Sequence, residues 1–370
     1  MDLVLETCDT FVFDKVYSYL LPAELVSTVS QPWAEWLDLS TISHIKGNGT
    51  NAVLDAIKES VLLQNTMRNS SSCPEVYGHV PFLWNVTEAT FKSMLPRHNL
   101  LREAISLWLI TMIFGWLLYL SMATFSYLFI FDRSIFNHPR YLQNQMRQEI
   151  RLALSAIPLM SLLTVPWFML ECNGHSKLYY SKPNMSTFTI IKEIAAFIFF
   201  TDCGVYWAHR WLHWPKVYRA LHKPHHKWLV CTPFASHAFH PLDGYGQSIS
   251  YHVYPMIMPL QKFVYLGLFT FVNFWTIMIH DGNHMYNNKI VNGTACHTVH
   301  HLYFSYNFGQ FTTLWDRLAG SYRQPEDSLF DHSANEDKKV LAEQLKQMDE
   351  EMKMLEGEKD ERVYVSKKNK

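Results

Sequence analysis

The sequence predicts an all-α membrane protein, a multi-span helical bundle with a histidine-rich dimetal helical domain that faces the cytosol. Two observations carry this prediction. Residues 104–131 form a run of 28 residues without Asp, Glu, Lys or Arg, and about 20 such residues suffice for one membrane-spanning helix. Thirteen of the 19 histidines lie between His209 and His301, a quarter of the 370-residue chain, and histidine is the commonest metal ligand.

Composition excludes several other classes of protein. Charged residues make up 18% and aromatic residues 15% of the chain, which argues against a disordered chain or a coiled coil. The chain has 32 Lys and Arg residues and 33 Asp and Glu residues, which gives a net charge of −1. We therefore expect no nucleic-acid partner. The cysteines form no C-x-x-C pair, which argues against a zinc ribbon or a thioredoxin motif.

Three further apolar runs follow the first. Residues 152–170 are uncharged, and the loop 132–151 before them carries four arginines against two acids, which indicates the cytosolic side of a membrane. Residues 190–206 are interrupted by three charged residues, and residues 263–279 are uncharged. These runs leave the number of spans open between four and five.

The apolar segment 244–279 predicts a helical hairpin that enters and leaves the membrane on one side. A single pass would place His280 on the opposite side from His226, and the histidines could not then share a site. The side of the membrane on which the N-terminus lies is left open.

We expect three segments along the chain. Residues 1–100 are polar and irregular, residues 101–330 form the membrane-embedded domain, and residues 331–370 form a cytosolic charged tail. In the tail, apolar residues recur every three to four positions among Lys and Glu, which predicts an amphipathic or solvated helix. The ending Lys367-Lys368-Asn369-Lys370 resembles the dilysine retrieval address of endoplasmic reticulum membrane proteins, with a random Lys-rich end as an equal alternative.

Ten histidines form four boxes, HRWLH at 209–213, HKPHH at 222–226, HDGNH at 280–284 and HTVHH at 297–301. On a helix, spacings of three and four residues bring side chains onto one face, as in motifs that present two imidazoles to one metal. We therefore expect each box to occupy one helix face. The candidate ligands, enough for two metal ions, are His209, His213, His222, His225, His226, His280, His284, His297, His300 and His301.

The ligand type narrows the choice of metal. Imidazole suits Zn, Cu, Fe and Ni alike, but no Cys lies inside a box, which excludes a structural zinc finger. An all-nitrogen dinuclear site at a membrane surface fits oxygen activation by iron best, because unreactive C–H bonds require a redox metal and O₂. Asp202, Asp243, Asp281 and His240 are candidates to hold the imidazoles in position by hydrogen bonds. For each carboxylate, a helix cap or an ordinary salt bridge is an equal alternative.

These boxes resemble the fatty acid hydroxylase and sterol desaturase superfamily, whose pattern is H-x3/4-H, H-x2-H-H, H-x3-H and H-x2-H-H. Longer strings at 221–245, 292–304 and 310–318 resemble the C-5 sterol desaturase branch found in fungi. The loop 131–146 and the first residues, MDLVLE, resemble that branch too, so the resemblance spans nearly the whole chain.

The resemblance implies an oxidoreductase. From the apolar runs, the basic loop and the dilysine ending we expect a multi-pass protein of the endoplasmic reticulum membrane with a cytosolic C-terminus. The resemblance implies removal of two hydrogens from C-5 and C-6 of a delta-7 sterol, which gives the 5,7-diene on the way to ergosterol. O₂ would be reduced to water with electrons from NAD(P)H, supplied through a reductase and cytochrome b5. The ten box histidines carry over as di-iron ligands, and all except His284 as catalytic residues. His284 ranks last because the matching position is not always histidine in fungal relatives.

Two alternatives stay open. The boxes alone fit a C-4 methylsterol oxidase or a fatty-acyl hydroxylase with the same di-iron site equally well, and only the longer strings favour the desaturase. A membrane metal transporter would need polar residues along a path through the membrane, whereas these histidines cluster at the ends of apolar segments.

Overall fold

The computed structural model describes residues 1–28, 33, 82–84, 87–182, 185–284, 288–330, 338–357 and 360–365. These residues are largely helical, as predicted, and the short parallel sheet among them pairs Leu178 with Leu260. The dilysine ending and most of the segment 29–81 lie outside the described residues. The helices and strands in chain order are α1 (Asp2–Cys8), α2 (Asp14–Leu20), α3 (Leu100–Phe129), α4 (Gln145–Cys172), β1 (Leu178–Tyr179), α5 (Thr187–Leu212), α6 (Pro215–Val217), α7 (Pro241–Ile257), β2 (Leu260–Gln261), α8 (Lys262–Ile279), α9 (Thr294–Tyr303), α10 (Leu314–Leu318) and α11 (Lys338–Glu356).

Three of the described helices, α3, α4 and α8, are long and apolar enough to cross a membrane. They contain three of the four apolar runs found in the sequence, and they indicate a membrane protein. The fourth run, residues 190–206, lies in α5, which is not among these three helices. Its three charged residues explain the difference, because charge within a span is costly in a bilayer.

The segment predicted as a helical hairpin consists of α7 and α8, joined by residues 258–261. This arrangement brings His280, at the C-cap of α8, into the neighbourhood of the second box. The ring centroids of His280 and His225 lie 5.3 Å apart. The two boxes therefore share a site, which was the reason for expecting a hairpin.

The chain divides into two compact units. One comprises residues 1–111 and 164–176, and the other comprises residues 112–163 and 177–370. The predicted domain boundaries near residues 100 and 330 stay a prediction.

The first unit contains a helical N-terminal stretch where an irregular one was expected. A π-helical turn, Asp9–Phe13, connects α1 to α2. Asp14 is fully buried, and its carboxylate accepts hydrogen bonds of 2.6 Å from both Arg97 and Arg102. Buried charges require such partners. Because these partners lie more than 80 residues away in the sequence, no local apolar pattern could reveal the helix.

The second unit is organised around α5. A Cβ atom at Gly204 would lie 2.4 Å from Cβ of Ser250, so the close approach of α5 and α7 requires glycine at that position. The helix predicted in the tail is present as α11. Its Met348 and Met352 are buried against a cluster that includes Leu302 of α9, so the tail helix packs against the helix that carries the fourth box.

Candidate metal centre

The four boxes lie on helix ends and tight turns. The first box ends α5, with His213 at the C-cap, and the fourth lies within α9. The second box is built on a π-helical turn over Tyr218–His222 and a 3-10 turn over His225–Lys227, and the third begins at the C-cap of α8. The expectation of one helix face for each box is therefore wrong for the second and third boxes.

Pro224 explains why the second box leaves the regular helix. Proline lacks an N–H, and its ring clashes with the preceding turn of a helix. The chain accordingly changes from the π-helical turn to the 3-10 turn at this residue. As a result His222 and His226 face one group of histidines, whereas His225 faces another.

Nine of the ten box histidines come together in two buried groups. In each group the potential ligand atoms all lie within 4.8 Å of one another. Group A comprises His209, His213, His222, His226 and His300. Group B comprises His225, His280, His297 and His301. The groups adjoin, since the ring centroids of His226 and His301 are 4.7 Å apart.

The distances within group A fit a metal ion shared between imidazoles. The Nε2 atoms of His209 and His222 are 3.1 Å apart, and those of His226 and His300 are 3.0 Å apart. Two nitrogens that each bind one ion at about 2.1 Å, at right angles to each other, are separated by about 3.0 Å. The nitrogens of group A are therefore spaced as adjacent ligands of one ion would be.

Group B has the same spacing with one histidine fewer. The Nε2 atom of His297 lies 2.9 Å from that of His280 and 3.2 Å from that of His301. Four protein ligands leave room in the coordination of a metal ion for a small molecule, whereas five leave less.

Several imidazole nitrogens are buried without a hydrogen-bond partner. Both ring nitrogens of His213 are in this position, as are Nδ1 of His226 and Nδ1 of His301. A buried polar atom without a partner is costly, and a metal ion bound within group A would satisfy one ring nitrogen of His213. Burial, reinforced by neighbouring imidazoles, lowers the pKa of His209 and of His225 to about 3, which keeps their rings in the neutral form that binds metals.

Hydrogen bonds at Nδ1 orient most of the remaining imidazoles. An Nδ1–H that donates to a fixed acceptor leaves Nε2 unprotonated for a metal and fixes the plane of the ring. Nδ1 of His222 lies 2.7 Å from the Asp243 carboxylate. The other four Nδ1 atoms contact main-chain carbonyls: His209 that of Phe308 at 3.0 Å, His225 that of Ala238 at 3.4 Å, His280 that of Thr276 at 2.7 Å and His300 that of Tyr306 at 2.7 Å. These contacts favour the Nε2 atoms as the metal-binding atoms.

Three of the four residues predicted to support the imidazoles lie in different surroundings. Asp243 is buried against His222. Burial alone would raise the pKa of its carboxyl, but the charge and hydrogen bond of His222, the charge of His225 and a hydrogen bond from Gln247 together outweigh burial and lower it. His240 instead caps α7, with Nδ1 accepting from the N–H of Leu242. Asp281 accepts from the N–H of Asn283 and from the Thr294 hydroxyl.

His284 lies outside both groups. Its Nε2 is 2.9 Å from the Thr298 hydroxyl. The third box therefore contributes one residue, His280, to the groups that could hold a metal.

The loop 304–313 supplies two of the acceptors and was not recognised from the sequence. Asp316 accepts from the N–H groups of Phe308 and Gly309 at 2.8 Å each, and Asp202 accepts from the N–H of Phe311 at 2.7 Å. Asp202 thus holds this loop and not an imidazole. A backbone carbonyl has no sequence signature, but the Asp316 anchor lies in the string 310–318 that carried the family resemblance.

The C-terminal segment 360–365 also reaches the site. Arg362 donates to the main-chain carbonyls of His226 and Lys227 at 3.0 and 2.9 Å. It also forms a buried ion pair of 2.8 Å with Glu356, which in turn accepts from the Tyr218 hydroxyl. The tail, which was expected to contain an amphipathic or solvated helix, therefore also fixes the backbone of the second box.

A cavity reaches group B. His280, His297 and His301 form part of its wall. The apolar part of the wall includes Ile135, Leu229, Ile279, Leu302, Leu329, Val340 and Leu341. No group A histidine lines this cavity among the described residues. A flat apolar molecule in the cavity would therefore meet group B first.

Comparisons with known proteins agree with this architecture. The model of the fatty acid hydroxylase family matches residues 194–321, which contain all four boxes. The delta(7)-sterol 5(6)-desaturase of Candida glabrata is 59% identical, over 100% of both chains. The enzyme of the same name from Saccharomyces cerevisiae is 56% identical over 100% of this chain and 99% of the relative, and that from Eremothecium gossypii is 53% identical over 98% and 99%.

Comparison with solved structures finds no match. Sequence identity of this extent over the whole chain is enough to show the family, even though no solved structure matches. The chain belongs to the delta(7)-sterol 5(6)-desaturase family and carries a fatty acid hydroxylase domain.

Proposed function

We propose that this protein is a C-5 sterol desaturase, which introduces the C5=C6 double bond into delta-7 sterols in ergosterol biosynthesis. One observation carries the proposal. The chain is 53% to 59% identical to three such desaturases over nearly its whole length. It also has two adjoining histidine groups, one of which opens onto an apolar cavity. A sterol is flat, rigid and apolar, and sites for such ligands are apolar clefts with few polar groups.

The nine histidines of groups A and B are the proposed ligands of two iron ions. Bound iron would supply the electron transfer to O₂ that breaking an unreactive C–H bond requires. In the overall reaction the sterol gives up two hydrogens and NAD(P)H gives up two electrons. O₂ takes up four electrons and four protons in total and leaves as two molecules of water.

The residues of the chain have three tasks in this reaction. The fixed acceptors behind the imidazoles, Asp243 among them, hold the rings in place and keep Nε2 available. The cavity wall places C-5 and C-6 of the sterol beside group B. The burial of both groups keeps bulk water away from the site. Bulk water at the site would divert the oxidation toward a hydroxylated product.

We assign the protein to the endoplasmic reticulum membrane, with the C-terminus in the cytosol. The support is the basic loop 132–151 and the dilysine ending. Cytochrome b5 and its reductase are the proposed electron donors, as the family resemblance implies. Residues 101–330 are proposed as the membrane-embedded catalytic domain, although Arg362 beyond them contacts the second box.

Sterol analysis tests the proposal. The chain is expressed in a yeast strain whose own C-5 desaturase is deleted, beside His300→Ala in group A and His175→Ala, an exposed histidine outside the boxes. We expect 5,7-diene sterols from the parent chain and from His175→Ala, but none from His300→Ala at equal abundance in the membrane.

If no chain yields the diene although each is present, the desaturase proposal fails. Oxidised 4-methyl sterols or 2-hydroxylated fatty acids in those cells would then favour the methylsterol oxidase or the fatty-acyl hydroxylase that the boxes also fit.

A further inference from the structure

Two polar side chains meet on the wall of the cavity that reaches group B. His284 and Thr298 both line it, and Nε2 of His284 lies 2.9 Å from Oγ1 of Thr298. Much of the surrounding wall is apolar, with Ile279 and Leu302 among the lining residues. A polar pair in such a wall is positioned to fix the orientation of a mostly apolar ligand.

This pair belongs to the same chain segments as the ligands of group B. Thr298 directly follows His297 on α9, and His284 follows His280 by four residues. Other polar residues on the wall come from elsewhere, for example His138 and Gln344, which contact each other at 3.3 Å. His284 and Thr298 therefore belong to the two segments that form the group B end of the cavity wall.

The chemistry of a sterol requires a polar partner at this end. The 3-hydroxyl oxygen is separated from C-5 by three covalent bonds, through C-3 and C-4, and three bonds span at most about 4 Å. When C-5 and C-6 lie beside group B, the hydroxyl must lie beside group B as well. A partner at the far end of the cavity could not reach it.

We propose that His284 and Thr298 bind the 3-hydroxyl of the sterol substrate. This inference rests on the proposed function and names the group by which the site recognises its substrate. A threonine hydroxyl can donate one hydrogen bond and accept two, and a neutral imidazole can donate one and accept one. The pair can therefore hold each other and a third hydroxyl at once. His284 is then a substrate-binding residue and not a tenth metal ligand.

The proposal predicts selection for the free hydroxyl. A site that is built to hydrogen-bond a hydroxyl rejects analogues that lack it, because its own polar groups are then buried without a partner. A delta-7 sterol with hydrogen at C-3 should therefore be a poor substrate even though it fits the apolar wall.

The experiment uses the full-length protein, loaded with iron and supplied with cytochrome b5 and its reductase. Desaturation is measured on a 3-hydroxy delta-7 sterol and on its 3-deoxy analogue for the parent chain, Thr298→Val, Thr298→Ser and His284→Leu. The matched control is Thr270→Val, whose hydroxyl bonds to the Leu266 carbonyl within α8. Iron per chain is measured for every variant.

We expect Thr298→Val and His284→Leu to lower kcat/KM for the hydroxy sterol by roughly 10- to 100-fold, mainly through KM, with the deoxy analogue little affected. Both should retain the iron content of the parent. Thr298→Ser, which keeps the hydroxyl, should restore the preference for the hydroxy sterol, and Thr270→Val should match the parent.

Two results would overturn the inference and leave the desaturase proposal intact. One is an undiminished preference for the hydroxy sterol in both Thr298→Val and His284→Leu. The other is a loss of iron in His284→Leu, which would make His284 a ligand. If the parent chain desaturates neither sterol, the proposed function fails, and this inference fails with it.

Discussion

Groups A and B are built from the same residue type on the same short segments, yet their surroundings differ. Group A has five histidines, and none of them lines the cavity among the described residues, whereas group B has four and three of them form part of its wall. Group A is also the group supported by the Asp243 carboxylate and by Arg362. Enclosure and the number of histidines, and not residue type, therefore distinguish an inner group from one that opens onto the cavity.

The two groups are nevertheless tied together covalently. His225 and His226 are neighbours in the chain but belong to different groups, and so do His300 and His301. A shift of the backbone at either pair moves histidines of both groups. A change in one group should therefore affect metal binding at both groups, to different degrees.

The largest effect is expected on metal removal. A chelator should abolish diene formation, and about half of the bound iron should leave in a first, faster phase, because the cavity reaches only group B and four ligands hold an ion less firmly than five. Iron per chain and activity are followed together over time, with and without bound sterol. Sterol should slow the first phase only, and a single phase that sterol does not affect would contradict the distinction between the groups.

A smaller effect is expected for Asp243→Asn. The amide keeps the shape of the carboxylate but not its charge, so the His222 imidazole loses its ionic partner while the ring stays in place. Loss of such a partner lowers metal affinity or activity by about 10- to 100-fold. Asp281→Asn is the matched control, because that carboxylate contacts Asn283 and Thr294 and supports no group A imidazole. Equal losses in the two variants, measured by iron titration and turnover, would contradict the role of Asp243.

The smallest effect on turnover is expected for Arg362→Ala, which acts on stability. Removing one partner of a buried ion pair costs about 3 kcal/mol, and Arg362 and Glu356 are only 5% and 2% exposed. We expect a lower Tm in detergent and a weakened group A, because the His226 carbonyl loses its donor. Lys346→Ala, an exposed cation of α11, removes the same charge as a control. Its Tm should equal that of the parent, and an Arg362→Ala variant that also equals the parent would refute the prediction.

The sequence predicts which histidines form the site better than it predicts how they are arranged. Four boxes with spacings of three and four residues were sufficient to identify the nine histidines that come together. The division into two groups was not predictable, because it depends on the break at Pro224 and on His284 lying outside both groups.

Long-range contacts explain the other failures. Arg362 and His226 are 136 residues apart in the chain, and Arg97 and Asp14 are 83 residues apart. Periodicity reports only on neighbours within a few turns. It therefore could not predict that Arg362 of the tail contacts the second box, or that the N-terminal stretch is helical and pairs with Arg97 and Arg102.

The contact of Arg362 with the second box has a consequence for biosynthesis. Arg362 is synthesised 61 residues after His301, and domains begin to fold from the N-terminal side during translation. All nine histidines leave the ribosome before the residue that fixes the backbone of His226. Insertion of the membrane helices can therefore precede completion of the centre, and stable uptake of metal by group A must await the arrival of the tail. A ribosome that stalls in the tail would hold a membrane-inserted chain with all nine histidines of groups A and B and an unfinished site.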